Sequence, residues 1–485
     1  MKNTRRSIPP IAYLLLSIVL FWGVNQIWHF ITQPHQNNLA DRHSSGERLL
    51  IKEIESSEKR EGIKSFANGD YDSAIQHFQA SLQSQPNDPE GRIYLLNSMA
   101  IHKVSDPQKL VKIAVVVPIG SNTNIAREML RGVSEVQMEV NQRGGVNGVP
   151  VAIEIFNDDN DPDLAKEIAK QAIQDPQVVA SIGSNTSNAS LAAAPIYQQA
   201  KMVMVSPTSM TRDLTGIGSY IFRTTPTSLS LATTLAQQIY TVNRHRKLAI
   251  CFDSQASDSV SFKEELIAEF ARLGGKIANF TCDVGVTNFQ PDDAIFKAKN
   301  SGADALFVAS HIDRLPLAIR LATANHGSLP LYSSPTLNTF QTLQAGYVVS
   351  GLTLVTPWQS SLDIQPNSFA DRSQKIWGGQ VSWRTAMSYD AGMAVVVGLQ
   401  QSNGTRQGLQ AALHQPQFST EGASGKVTFL PTGDRVLAPT IAQVREVNGK
   451  WVFTPLQPPT AVGGASPTEN RVPQLGGLVA PPAQK

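Results

Sequence analysis

From Lys112 to Pro207 the chain alternates short apolar runs with polar loops that open helices. "KIAVVVPIGSNTN", "VAIEIFNDDNDPD" and "VVASIGSNTSNAS" each pass from a Val/Ile-rich stretch through a turn into a helical pattern, and "KMVMVSPTSM" again ends in hydroxyls. Runs that are apolar throughout, rather than alternating, predict parallel strands buried on both faces and joined by crossover helices of ~10–15 residues. Ligands of such sheets sit beyond the carboxyl ends of the strands. The loops there carry Ser121, Asn122, Ser184, Asn185, Ser187, Thr208 and Ser209, a set suited to a small polar molecule.

The alternation resumes with "KLAICFD", "IANFTCD", "ADALFVAS", "LPLYSSP" and "LTLVTPW". Helices containing "MSYDAGMAVVVGLQQ" follow, then the hairpin-like "GKVTFLPTGDRVLAPTIAQVREVNGKWVFTP". At 485 residues the chain exceeds what one core usually fills. The pattern therefore predicts an α/β fold of two Rossmann-like lobes, preceded by a transmembrane helix and a short α-helical repeat segment.

The first 104 residues read differently. Lys2, Arg5 and Arg6 precede an apolar run from Ile11 to Ile31, long enough to span a bilayer, with Trp22 and Trp28 placed for an interface. No small-residue cleavage site follows it. Residues 1–32 are expected to be an uncleaved signal anchor that leaves the rest of the chain outside the cytoplasm, on the periplasmic side of the inner membrane; a cleaved signal and a buried helix are the alternatives. Residues 33–48 are polar and aperiodic, a predicted tether. Within 49–104, Gly62, Tyr71, Ala74, Phe78 and Pro86 stand at the spacings of a tetratricopeptide unit, with Ser81 where a small residue is needed. Such repeats need about three copies to bury a continuous core, so this segment must lean on something else, as a protein-docking surface or as a stalk or dimer contact. Residues 457–485 are rich in Pro and Gly and are expected to be disordered.

Charge excludes one class of partner. The 41 basic and 39 acidic residues leave a net +2, and no basic stripe interleaves with aromatics, so no nucleic-acid partner is implied. The two cysteines, Cys251 and Cys282, fall in strands that the pattern makes consecutive. A disulfide is open to them in an oxidising compartment, and two buried free thiols are the simpler reading.

Catalytic and cofactor motifs find no support. The "NDDNDPD" run alternates Asp159, Asp161 and Asp163, yet it lacks the loop glycine of a calcium site, Pro162 interrupts it, and Lys170 stands where a bidentate glutamate belongs. Asp161 as a helix N-cap with Pro162 at the first helical position explains it better. The nine histidines show no zinc spacing, and the nucleophile-elbow, phosphate-loop and dinucleotide fingerprints are missing. No cofactor and no enzymatic activity are expected.

An ordered series of marks carries a resemblance: "VPIG", "NQRGGVNGVPVAIEIFNDDNDP", "SIGSNTSNASLAAAPIYQQAKMVMVSPTS", "YIFRTTPT", "SYDAG", and "GKVTFLPTGDR" before "VNGKWV". From Leu110 to Leu456 the chain resembles the type I periplasmic solute-binding proteins that include the leucine/isoleucine/valine and amide receptors of ABC transporters. The resemblance implies three crossings between lobes, near Thr225, Thr356 and Lys426, with lobe 1 formed by 110–225 and 356–425 and lobe 2 by 226–355 and 426–456. It also implies a ligand carboxylate held at Ser187, Asn188, Thr208 and Ser209. On the second lobe, His311 stands where the family often has an aromatic, Thr336 where its acidic partner for the ligand ammonium is expected, and Ser257 near another commonly aromatic position. Asp258 or Asp313 is available to replace the missing carboxylate.

These readings lead to a membrane-tethered receptor that closes two lobes around a small polar solute, amino-acid-like or amide-like, and delivers it to ABC permease subunits. The rival is a sensor or scaffold that reuses the fold, with its helical segment, for protein contact in the cell envelope.

Overall fold

The computed structural model describes residues 39–104, 109–363 and 365–456. The expected anchor (1–32) and tail (457–485) lie outside the described residues. Among those described, no helix is long and apolar enough to cross a membrane.

Fifteen strands and fourteen α-helices carry the argument among the described residues. In chain order these are β1 (His43–Ser44), α1 (Ser57–Ala67), α2 (Tyr71–Ser84), α3 (Pro89–Lys103), β2 (Val111–Val117), α4 (Thr123–Gln142), β3 (Val151–Asn157), α5 (Pro162–Ala172), β4 (Val178–Ile182), α6 (Ser187–Gln199), β5 (Val203–Ser206) and β6 (Ile221–Arg223). Then come α7 (Ser228–Gln237), β7 (Lys247–Phe252), α8 (Ser257–Arg272), β8 (Lys276–Ile277), α9 (Pro291–Asn300), β9 (Ala305–Ala309), α10 (Leu315–Asn325), β10 (Leu331–Ser333), α11 (Phe340–Gln344) and β11 (Thr353–Thr356). The last group is α12 (Phe369–Trp377), α13 (Trp383–Gln400), α14 (Arg406–Leu413), β12 (Thr420–Gly422), β13 (Gly425–Val427), β14 (Thr440–Val447) and β15 (Lys450–Leu456).

Two mixed sheets result. Lobe 1 has the order β1-β3-β2-β4-β5-β6, parallel except for β1. Lobe 2 has the order β15-β14-β11-β10-β9-β7-β8, with β14 antiparallel to β11 and β15 antiparallel to β14. The continuous Val/Ile runs are buried on both faces: Val115, Val116 and Val117 lie in β2, and Leu306, Phe307 and Val308 in β9. Each side chain removed from water contributes ~1.5–3 kcal/mol, and this burial fixes the strands where the pattern predicts them.

The chain passes between the sheets after β6, after β11 and between β13 and β14. Before the chain returns to lobe 2, α13 packs against α4 so closely that a Cβ on Gly132 would meet Thr385 O at 2.2 Å. Two buried ion pairs hold the last passage. Arg223 Nε donates to Asp434 Oδ1 at 2.5 Å, and Arg435 Nη1 donates to Asp390 Oδ2 at 2.5 Å. Residues up to Arg435 are thereby tied to lobe 1 partners, so the crossing expected near Lys426 lies further along the chain, and Thr356 belongs to a lobe 2 strand.

The N-terminal segment departs from expectation. Residues 39–48, read as part of a tether, pack on lobe 1, with His43 and Ser44 paired antiparallel to Phe156 and Ile155 on the outer edge of β3. Asn97 continues that cover: its Oδ1 accepts from Ile153 N at 2.9 Å and its Nδ2 donates to Ile153 O at 2.7 Å. A bare edge strand is an invitation to further pairing, and here it is closed from within the chain. The helices α1 to α3 therefore lean on lobe 1. Gly62 is required where α1 meets α2, because a Cβ there would stand 2.8 Å from the Phe78 ring. Lys59, wholly buried, pairs with Asp88 at 2.7 Å and Glu90 at 2.6 Å, and Glu90 also accepts from Leu50 N at 2.7 Å.

Cys251 and Cys282 form a disulfide with Cα atoms 4.6 Å apart, so the free-thiol reading does not hold. Cys282 lies beyond β8, in a stretch whose backbone bonds Phe252 on both sides. Asp161 caps α5, accepting from Asp163 N at 2.7 Å and Leu164 N at 3.0 Å, as the acidic run predicts.

Candidate functional site

The carboxyl ends of both sheets face one cleft. Its buried centre is a cavity of about 20 Å³. Ser187 and Thr208 line it from lobe 1, Asp258, His311 and Thr336 from lobe 2, and Trp383 and Arg384 from the start of α13. Ser187, Thr208, Asp258, His311 and Thr336, all singled out from the sequence, therefore converge.

Asn188 and Ser209 do not line this cavity. Asn188 points along the rim and bonds the backbone of residues 255 and 257. Ser209 faces the interior of lobe 1, where its Oγ is 2.6 Å from Ser190 Oγ. Ser121 and Asn122 line a wider groove of about 810 Å³ at the mouth, bounded by Asp313 and Leu315 opposite and by Glu53 from the N-terminal segment.

Local structure gives each hydroxyl a direction. Thr186 caps α6 by accepting from Ala189 N at 3.4 Å, which places Ser187 at the first helical position. Ser187 Oγ accepts from Thr211 N at 3.4 Å, so its own proton remains available. Thr208 Oγ1 already donates to Asn185 O at 2.6 Å and can only accept from a guest. Ser187 and the helix start thus favour an oxyanion, and Thr208 favours a donor.

Asp258, in the first turn of α8, has its Oδ1 buried without a hydrogen-bond partner. Burial pushes its pKa above the usual carboxylate value, against the pull of His311. His311 Nδ1 stands 3.2 Å from Asp313 Oδ2. Burial opposes protonation of His311, but Asp313 and Asp258 outweigh it and raise its pKa.

Trp383 and Arg384 join the site without a motif that marks them in the sequence. The available signal is Arg384 itself, a guanidinium in the first turn of a largely buried helix, where a charge needs a partner. Only 3% of Arg384 is exposed. Its Nη1 donates to Asn338 O at 3.1 Å and lies 3.7 Å from Glu128 Oε2, while its Nε is buried and unpartnered.

Two α/β lobes closed over a cleft that offers hydroxyl, carboxylate and guanidinium groups define a bilobal binding protein. The chain belongs to the Periplasmic binding protein family, whose model matches residues 110–450. An amino acid binding protein of Pseudomonas aeruginosa is 23% identical over 213 residues, which are 43% of this chain and 55% of that protein. The chain thus spans about half the length of the curated relatives it matches. Among solved structures, the leucine binding protein LivK of Thermotoga maritima superposes with a TM-score of 0.65 at 21% identity, covering 71% of this chain and 98% of that one. A solute binding protein of an ABC transporter from Rhodopseudomonas palustris, in complex with 3,4-dihydroxybenzoic acid, gives 0.63 at 19% identity, covering 72% and 96%.

Proposed function

We propose that this chain is an extracytoplasmic receptor that binds a small polar solute, amino-acid-like or amide-like, between two closing lobes and presents it to the permease subunits of an ABC transport system. The observation that carries the reading is the Ser187 hydroxyl at the start of α6, free to donate into a buried cleft whose opposite wall holds Asp258, with its Oδ1 buried and without a hydrogen-bond partner. A carboxylate at the first and an ammonium or amide at the second would meet complementary groups. Leucine and 3,4-dihydroxybenzoic acid, named for two structural relatives, both carry a carboxylate. Hydrogen bonds to a charged group contribute ~1.5–3 kcal/mol each, so two or three give micromolar affinity with modest apolar help.

The cleft must open to admit such a guest. About 20 Å³ holds one water, whereas small-molecule sites usually offer ~300–1,000 Å³. Hinge motion at the three passages between lobes supplies the space in this reading. The buried disulfide supports an oxidising location, with residues 1–32 as the membrane anchor and the tetratricopeptide-like helices fixed to lobe 1 as a face for a protein partner.

The small cavity also favours a second reading, in which binding has been lost and the closed fold serves as an envelope sensor or scaffold. Calorimetry with amino acids, amides, ureas and hydroxybenzoates separates the two. A ligand whose affinity falls tenfold or more in Ser187→Ala supports the receptor; silence across the panel from folded protein supports the scaffold.

A further inference from the structure

Arg384 leaves part of its chemistry unused. A guanidinium has five N–H donors in a planar fork. Among the described residues, that of Arg384 makes a single hydrogen bond, from Nη1 to Asn338 O. Its Nη1 corner also takes the field of Glu128 at 3.7 Å, beyond hydrogen-bond reach. The opposite edge, Nε with Nη2, makes no hydrogen bond, and Nε is fully buried. That edge is the side-on fork that receives both oxygens of a carboxylate in parallel.

The setting is rigid. Arg384 stacks on the Trp383 ring, its Cζ 4.5 Å from the centroid, and both residues are held by the packing of α13 on α4. Residues 128 and 382 brace the same corner, with Ser382 Oγ donating to Glu128 Oε2 at 2.8 Å. Arg384 and Asp258 line one cavity without forming an ion pair, so the two opposite charges do not satisfy each other. Unpaired buried polar atoms are rare, and the meeting of Asp258 Oδ1, Trp383 Nε1 and Arg384 Nε around one cavity points to a group that arrives from outside.

We propose that Arg384 is a specificity-determining residue that holds a second oxyanion of the solute, so that the cleft selects a dicarboxylic guest over its amide or apolar counterparts. This rests on the receptor reading above. Ser187 and the α6 start take one carboxylate, Asp258 takes the ammonium, and the Nε/Nη2 edge of Arg384 takes the acidic group of the side chain. A guest with only one carboxylate leaves the guanidinium edge buried and unmatched, and the loss falls on affinity.

The test is calorimetric titration of the full chain with paired probes: L-glutamate against L-glutamine, L-aspartate against L-asparagine, and L-leucine. At least one acidic member is expected to bind 30-fold or more tightly than its amide and than leucine. In Arg384→Gln that preference is expected to fall below threefold with the amide still bound, and Arg384→Lys, which keeps the charge but loses the fork, is expected to recover only part of it. An amide or leucine binding as tightly as the acids to the unaltered chain overturns the proposal and leaves the receptor reading standing. So does an undiminished preference in Arg384→Gln. Absence of binding by every probe, and by the wider panel above, overturns the receptor reading and the proposal together. The comparison within the unaltered chain decides the matter even if the variants fold poorly.

Discussion

Asn188 grips Ser257 across the cleft: its Oδ1 accepts from Ser257 N at 2.9 Å while its Nδ2 donates to Gln255 O at 2.7 Å. One amide at the start of α6 thus satisfies the backbone of lobe 2 just where α8 begins. Both bonds are broken if the lobes separate, so Asn188 acts as a latch on the closed state.

Removing that latch should favour opening. Two neutral hydrogen bonds contribute ~1 kcal/mol each, which makes the expected shift in the open-to-closed ratio roughly 10- to 30-fold in Asn188→Ala. Spin labels placed on the two lobes measure it as a longer mean separation without ligand. An unchanged distance distribution would contradict the latch.

Among the described residues, Lys59 is the only ion-pair partner of the buried Asp88 and Glu90. Lys59→Met leaves Asp88 and Glu90 buried and facing each other, a loss of ~3–5 kcal/mol by analogy with other broken buried pairs. Hydrogen exchange is expected to speed up selectively over residues 57–103, with lobe 2 amides unaffected.

Glu135 makes stability depend on pH. Burial pushes its carboxyl from the ordinary 4.5 up to about 7, even though Trp377 Nε1 and Ser373 Oγ donate to it at 2.6 and 2.8 Å. The folded state therefore holds a proton that the unfolded state releases, and its stabilisation is complete below about pH 4.5 and lost as pH rises through 7. Asp158, raised to about 6 by burial, acts in the same direction. Thermal unfolding of Glu135→Gln is expected to show a flatter decline between pH 5 and 7 than the unaltered chain; parallel curves would refute the assignment.

The Cys251–Cys282 bridge closes a loop with a sequence separation of 31. Chain-entropy reasoning assigns a loop of that size ~3–4 kcal/mol. Cys251→Ala/Cys282→Ala, or the reduced protein, should unfold at lower temperature and lose protection first around β7 and the segment from 278 to 284. Equal melting with and without reductant would show that the bridge contributes nothing.

Much of this was legible because particular residues leave a one-dimensional trace. The Val/Ile-rich runs of β2 and β3 and the Asp161-Pro162 cap report local geometry, and each forms the element its pattern predicts. Other motifs were visible but silent about their work. Arg223 in "YIFRTTPT", Asp390 in "SYDAG" and Asp434 with Arg435 in "PTGDR" stand out as charges in apolar surroundings, and only the fold reveals that they pair across more than forty positions of sequence. Residues 39–48 misled because a short edge strand of polar residues has neither period nor bulk to mark it.

The sequence by itself determined most of the secondary structure, the two-lobed α/β class and the hydroxyl-bearing loops, because periodicity and turn chemistry act between near neighbours. Tertiary structure decided which of those groups look at one another. It turned Ser209 inward and Asn188 to the rim, covered β3 with Asn97, joined the two cysteines, and brought Arg384 from a distant helix to face Asp258. Those outcomes depend on packing between elements far apart in the chain, where burial and the pairing of polar atoms are settled together and no local pattern records the result.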